Sequence, residues 1–314
     1  MGMRIFSADE VHAALPWPGL AEHLARAFAT GAHAPVRHTH SLGDRDSLLL
    51  MPAWSDAVLG VKLVTVMPGN VAQNVATVQA SYLLLDRASG QALALLDGEA
   101  LTLRRTAAAS ALAARLLARP DAHSLLVVGS GHLAPWMVRA HHALRPGLRR
   151  IQVWGRDIAA SAALADALAR EGIPAVGCAD LESAVRGSDI VCCATTSTTP
   201  LVRGAWLQPG THLDLVGGFK PDMREVDDDA VAKARVCVDT YAGALTEAGD
   251  LLQPLRSGRI GRGHVLAELA EQVRGEMAVR RGPHDITLFK SVGTALEDLA
   301  AAQLVWQAAT AGQA

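Results

Sequence analysis

Aromatic residues are scarce in this chain of 314 residues: six Trp, four Phe and two Tyr amount to 4% of it. So few rings argue against a surface that stacks nucleic-acid bases. Neither sign of charge is in excess, with 29 basic against 31 acidic residues and a formal net charge of −2. That balance gives no reason to expect nucleic acid or an anionic membrane as a partner. Cysteine is limited to Cys178, Cys192, Cys193 and Cys237, with no CxxC spacing. Cys192-Cys193 fall in the apolar run Asp189 to Thr195 and read as buried free thiols acting as small apolar side chains, which fits a reducing compartment. No apolar run reaches membrane-spanning length. Met1 to Ser7 lacks the apolar core of a signal peptide, so the expected location is cytoplasmic. There is no Gly-Lys-Ser/Thr of a P-loop and no Gly-x-Ser-x-Gly elbow of a serine hydrolase. His38-Thr-His40 has no acidic or cysteine neighbour in sequence; a loop or strand is the stronger reading, and no metal is expected. His141-His142 read as surface residues of a helix.

What the chain does have is hydrophobic content, 50% of its residues, enough for a sizeable core in one large or two ordinary domains. Two kinds of sequence follow one another. Up to about Gly98, strand-like segments at 47–51, 58–66, 81–85 and 92–96 are joined by turn signals, which points to an antiparallel sheet or meander. Leu101 to Ala118 reads as an alanine-rich helix. Beyond it, strands at 125–128, 151–154, 190–194, 212–216 and 236–239 alternate with helices, the pattern of a parallel, doubly wound α/β sheet. A last helix is expected from Ser291 to about Ala309.

The sharpest local signal is Leu125-Leu-Val-Val-Gly-Ser-Gly-His-Leu-Ala134. A continuous apolar run suits a strand buried on both faces. Gly129 permits a tight turn, Gly131 leaves room for a pyrophosphate, and the small Ala134 lets the following helix pack close. That helix then presents free N–H groups and its positive dipole end to phosphates. The loop therefore nominates Gly129, Ser130, Gly131, His132 and Leu133 as dinucleotide-binding residues. The next strand ends in Trp154-Gly-Arg-Asp157. Arginine at this point pairs with the 2′-phosphate of NADP, and a carboxylate with the ribose of NAD. Arg156 is assigned to the phosphate and Asp157 to capping the next helix, which favours NADPH with NADH also possible. A solvated surface arginine is the alternative.

Three cations in the first part stand out. Lys62 interrupts an apolar strand, so it must pair, snorkel or face a polar cavity. Arg105 lies near the expected start of the alanine-rich helix, where a cation opposes the dipole. Arg37 sits in Pro35-Val-Arg-His38. Taken singly, each reads more readily as an edge-strand or surface charge.

The segments Met51-Pro-Ala-Trp54, Lys62-Leu-Val-Thr65, Asp97-Gly98, Arg105-Thr-Ala-Ala108, Val128-Gly-Ser-Gly131, Val153-Trp-Gly-Arg156, Val216-Gly-Gly218, Arg224-Glu225, Gly249-Asp250 and Phe289-Lys-Ser-Val-Gly293 carry a likeness. In their order and spacing the chain resembles the ornithine cyclodeaminase/μ-crystallin family over nearly its whole length. The resemblance implies a Rossmann-type NAD(P)-binding domain at 111–289. It also implies a second, α+β substrate and dimerisation domain with a largely antiparallel sheet at 1–110 and 290–314, and a homodimer. It makes Arg37, Lys62 and Arg105 a clamp for a substrate carboxylate and adds Thr195 and Val216 to the cofactor site. In the family's cyclodeaminases an aspartate handling the substrate amine stands where this chain has Phe219. The loop is instead similar to that of the imine reductases. The implied function is NAD(P)H-dependent reduction of a cyclic ketimine carboxylate, Δ1-pyrroline-2-carboxylate to L-proline or Δ1-piperideine-2-carboxylate to L-pipecolate. Phe219 would lie beside the ring, with Lys62 or water as proton source. The alternatives are an ornithine cyclodeaminase or alanine-dehydrogenase-type enzyme, and a non-catalytic binder of NADPH and a small carboxylate.

Overall fold

The structure, a computed structural model, describes residues 2–311. Cα packing divides the chain into two compact units, Met1–Thr106 with Thr294–Ala314, and Ala107–Gly293. Of the domain spans expected from sequence, residue 1 and residues 312–314 lie outside the described residues.

In chain order the first unit holds β1 (Arg4–Phe6), α1 (Ala8–Ala14), α2 (Trp17–Thr30), β2 (His38–Ser41), β3 (Ser47–Trp54), β4 (Val58–Val66), β5 (Val78–Asp86) and β6 (Ala92–Asp97), then the start of α3 (Gly98–Leu117). Its sheet has the order β1-β6-β5-β4-β3-β2. Every pairing is antiparallel except β1 with β6, which is parallel, so the expected meander gains a parallel edge. Successive side chains of a strand point to opposite faces, and the two faces differ here. Met51, Ala53, Val58, Gly60, Lys62, Tyr82, Leu84, Ala94 and Leu96 are buried, and the residues between them are half-buried or exposed. The C-terminal helix, Ala295–Thr310, returns to pack against β3, β4 and β5 and against α2. In α2, Leu20, Ala21, Leu24 and Phe28 form the buried stripe of an amphipathic helix.

The second unit alternates as the sequence suggests: β7 (Ser124–Val128), α4 (Ala134–Leu144), β8 (Arg150–Trp154), α5 (Ile158–Arg170), β9 (Ala175–Cys178), α6 (Leu181–Arg186), β10 (Ile190–Cys193), β11 (His212–Leu215), α7 (Asp228–Lys233), β12 (Arg235–Val238), α8 (Tyr241–Glu247), α9 (Gly249–Arg256), β13 (Val265–Glu268), α10 (Leu269–Val273) and β14 (Thr287–Lys290), followed by α11, the Ala295–Thr310 helix of the first unit. The sheet order is β13-β12-β14-β11-β10-β7-β8-β9 and all pairings are parallel. This is a Rossmann-type, doubly wound sheet. β7 is buried throughout, as a parallel strand covered on both faces must be. From β7 the chain winds one way through β8 and β9, then crosses to the other side at β10. The carboxyl ends of β7 and β10 therefore flank a topological switch point, where such sheets bind ligands.

Two expectations about helices need correction. The helix of residues 101–118 begins at Gly98, with the Asp97 side chain accepting from Ala100 N–H. Arg105 thus lies about two turns inside it, and its position there is explained by ion pairs and not by the dipole. The last helix begins at Ala295, capped by Thr294.

Candidate functional site

In the second unit the candidate cofactor residues line up along the carboxyl ends of four adjacent strands. Gly129 follows β7 with φ +126°, and a Cβ there would approach Ala194 O to 2.6 Å. Glycine is therefore required both by the dihedral and by the close pass of the chain leaving β10. A Cβ at Gly131 would meet nothing within 4 Å, so its approach is open. The N-terminus of α4 carries no side-chain cap, and its first N–H groups suit a phosphate. These features fit a dinucleotide. At the end of β8, Asp157 accepts from Ala159 and Ala160 N–H at 2.9 and 3.1 Å, the capping role read from sequence. Arg156 beside it is exposed. Thr195 follows β10, close to Gly129. Val216 follows β11, donating its N–H to Cys193 O at 3.0 Å. Three residues later, Phe219 holds its ring 40% exposed.

Beneath this edge sits a charged group that sequence reasoning did not assign. Glu225, Asp250 and Lys290 are fully buried. Glu225 accepts the Thr195 and Gly217 N–H groups, and Asp250 accepts those of Glu225 and Val226. Lys290 Nζ lies 3.3 Å from Asp250 Oδ2.

In the first unit the three singled-out cations come together. Lys62 is 2% and Arg105 5% exposed. Lys62 Nζ lies 2.8 Å from Asp298 Oδ2 and 3.3 Å from Thr102 Oγ1. Arg105 Nε donates to Asp298 Oδ1 at 3.0 Å, and Arg105 Nη1 pairs with Glu297. Arg37, half-buried, is near enough for its charge to act on both Lys62 and Asp298. Three cations, Arg37, Lys62 and Arg105, thus lie with two carboxylates, Glu297 and Asp298. Burial pulls the Lys62 ammonium down to about 8; Asp298 opposes the fall, and Arg105 and Arg37 add to it. Burial would raise the Asp298 carboxyl, but Arg105, Lys62 and Arg37 outweigh it and hold it low.

Sequence reasoning found Lys62 because it breaks the apolar pattern of its strand, noticed Arg105 for a helix-start position that it does not hold, and tied Arg37 to both through the resemblance. It missed Glu297 and Asp298, since acidic residues in the first turn of a helix are ordinary dipole partners. The expectation for His141 is overturned. Ala134, Met137, Val138 and His141 form one helical stripe of α4, all buried. His141 Nε2 lies 3.1 Å from the buried Asp214 Oδ2. Among the described residues, His141, Cys192 and Asp214 bring ligand-type atoms within 4.8 Å of one another. The hydrogen bond from His141 to Asp214 accounts for their proximity, and burial keeps the Cys192 thiol well above its ordinary range. No helix of the described residues is long and apolar enough to cross a membrane.

Comparison with known proteins agrees with this geometry. The model of the ornithine cyclodeaminase/mu-crystallin family matches residues 4–313. Protein SAR DEFICIENT 4 of Arabidopsis thaliana is 42% identical over 280 residues, 87% of this chain and 86% of that one. A Delta(1)-pyrroline-2-carboxylate reductase of Colwellia psychrerythraea is 35% identical over 311 residues, 96% of this chain and 98% of that one. The structure of Thermococcus litoralis Delta(1)-pyrroline-2-carboxylate reductase, in complex with NADH and L-proline, matches with TM-score 0.93 at 33% identity, covering 99% of this chain and 98% of that one. This chain therefore belongs to the ornithine cyclodeaminase/mu-crystallin family.

Proposed function

We propose that the protein is an NAD(P)H-dependent cyclic ketimine reductase, taking Δ1-pyrroline-2-carboxylate to L-proline and Δ1-piperideine-2-carboxylate to L-pipecolate. The observation that carries this reading is Phe219, exposed on the loop four residues past the end of β11, where the resemblance puts an aspartate in cyclodeaminases. A phenyl ring neither takes a proton nor stabilises a departing ammonium, but it does suit a flat, apolar ring. The Colwellia and Thermococcus relatives, named for pyrroline-2-carboxylate reduction, support the same choice.

Arg37, Lys62 and Arg105 hold the substrate carboxylate. Several donors on one carboxylate fix its orientation as well as its affinity. Bound NAD(P)H supplies the hydride to the C=N carbon. Lys62, with its ammonium at about 8, is largely protonated at neutrality and delivers the proton to the ring nitrogen, so that C=N becomes CH–NH. The loop Gly129–Leu133 cradles the pyrophosphate, while Thr195 and Val216 form the floor near the nicotinamide. Arg156 takes the 2′-phosphate, making NADPH the better cofactor.

The outer face of the first unit's sheet supports a homodimer. Ile5, Leu50, Val61, Leu63, Leu83 and Leu95 share that face by register and are half-buried or exposed. A contiguous apolar sheet face of this kind marks an interaction site, and a second copy offers the same surface.

The reading is tested by following NADPH oxidation with Δ1-pyrroline-2-carboxylate, against ammonia release from ornithine in the presence of NAD. Turnover with the imine alone is expected. Ammonia release from ornithine, or cofactor binding without any turnover, overturns it. In the same assay Arg156→Ala raises KM for NADPH about ten- to hundredfold, the worth of a charge-assisted hydrogen bond, and leaves KM for NADH in place.

A further inference from the structure

Glu225 does not touch the positions assigned to substrate or hydride, yet its contacts reach both strand exits that form the floor of the cofactor site. Its Oε1 accepts the Thr195 N–H at 2.7 Å and the Thr195 hydroxyl at 2.9 Å, and its Oε2 accepts the Gly217 N–H at 2.8 Å. Thr195 is two residues past the end of β10, and Gly217 two past the end of β11, strands paired in register up to Cys193 and Leu215. One carboxylate therefore bridges two neighbouring chain exits. It is held from behind by Asp250, whose Oδ1 accepts the Glu225 and Val226 N–H groups at 2.7 and 3.1 Å. Asp250 in turn faces Lys290. The bridge depends on glycine at 217 and 218, because a Cβ on Gly217 would collide with Thr195 O and Glu225, and one on Gly218 with Asp250.

We propose that Glu225 is a positioning residue: as a carboxylate it ties the chain leaving β10 to the chain leaving β11, and so fixes Thr195, Val216 and Phe219 for cofactor and substrate. The proposal rests on the ketimine reductase reading for what those residues contact. Its chemistry follows from donor and acceptor counting. Each Glu225 oxygen receives a backbone N–H, and a backbone N–H cannot act as an acceptor. Oε1 spends both acceptor sites on Thr195 and Oε2 one on Gly217, so a proton either sets O–H against one of these donors or takes the remaining site of Oε2, and in both cases the bonds lose the charge assistance of the carboxylate. The ionised form holds both sides most tightly.

The groups facing Glu225 are Thr195, the thiols of Cys192 and Cys193 on β10, Asp250 on α9 and Lys290 on β14. Burial raises the carboxyl, Lys290 opposes this, Asp250 adds to it, and the Thr195 bonds oppose it, leaving it at about 7. Both thiols are held well above their ordinary range by burial and stay neutral. The bridge therefore loosens as pH falls through about 7. Overall stability moves in the opposite sense. The folded state binds this proton more tightly than the unfolded chain, so the group's contribution to stability declines as pH rises from 4.5 to about 7.

The test compares the full-length protein with Glu225→Gln and Glu225→Asp, reading amide hydrogen exchange without cofactor and the pH profile of kcat/KM with NADPH and Δ1-pyrroline-2-carboxylate. In the wild type, exchange corrected for its intrinsic pH dependence should rise together in the segments carrying Thr195 and Gly217 as pH drops below about 7, with kcat/KM falling in parallel. Glu225→Gln should exchange rapidly there at every pH, lose that acid limb, and have kcat/KM lowered about ten- to hundredfold above it. Glu225→Asp should recover the limb. An acid limb that persists in Glu225→Gln, or wild-type exchange in the two segments that stays flat through this range, overturns the proposal. The wild-type exchange profile decides even where a variant fails to fold. A wild type that shows the exchange pattern but reduces no ketimine keeps the bridge and discards the reductase reading.

Discussion

Lys62 places an ammonium inside the buried face of an otherwise apolar strand, and the consequences are measurable. Its pKa of about 8 means that kcat/KM, which reports the free enzyme, should fall as pH rises through that value. The lost charge weakens carboxylate binding, and the lost proton removes the acid. Stability should respond in the opposite direction. The unfolded chain keeps this proton up to 10.5 while the folded protein releases it near 8, so the burial penalty is relieved across that window and the contribution to stability rises. Lys62→Met should cut kcat/KM by about a hundredfold or more, the scale of a lost proton donor, and abolish the basic limb. Full activity above the Lys62 pKa, or a Lys62→Met enzyme that keeps the limb, would remove Lys62 from the reaction. Sequence alone exposed Lys62 as a misfit, because burial of a lone charge is costly. It was silent about Asp298, since two residues 236 apart in the chain leave no periodicity to read.

At the scale of elements, legibility followed apolar patterning. β7, buried on both faces, and the glycine turn after it stood out because each residue there answers a steric demand. The short β9 and β13, with fewer apolar residues, did not. α4 misled at His141, where a polar residue completes an apolar stripe and finds Asp214 as its buried partner. β4 shows both outcomes in one strand. Its Lys62 face was flagged, whereas the meaning of its other face appears only once Val61 is set opposite Pro52 and Leu83 by the pairing register. Light scattering on the wild type should give a dimer. Val61→Glu puts a charge in the middle of that apolar face and should shift the population to monomer by at least about tenfold in dissociation constant, from a penalty of about 1–3 kcal/mol for an unpaired buried charge. An unchanged dimer would move the interface elsewhere.

At the scale of the whole molecule, the order of strand-rich and alternating segments predicted two architectures in one chain. The resemblance already assigned residues 290–314 to the first unit; what neither predicted is the set of side chains that closes it. The chain leaves that unit at residue 106 and re-enters it at 294, and the returning helix α11 brings Glu297 and Asp298 to cations on β4 and α3. Asp298 is fully buried, with both carboxylate oxygens close to Lys62 or Arg105. Without it, two cations remain in the core with Glu297 as the carboxylate still facing Arg105. Asp298→Asn keeps the volume and removes the charge, so no cavity term enters. Breaking a buried ion pair at one partner costs about 3–5 kcal/mol. The variant should therefore lower the denaturant midpoint substantially and release hydrogen-exchange protection in β4 and α11 together, because the pair is what joins them. A loss under about 1 kcal/mol would instead mean that apolar packing of α11 on β3, β4 and β5 closes the unit by itself, with the acidic pair serving only to balance the clamp until a substrate carboxylate arrives.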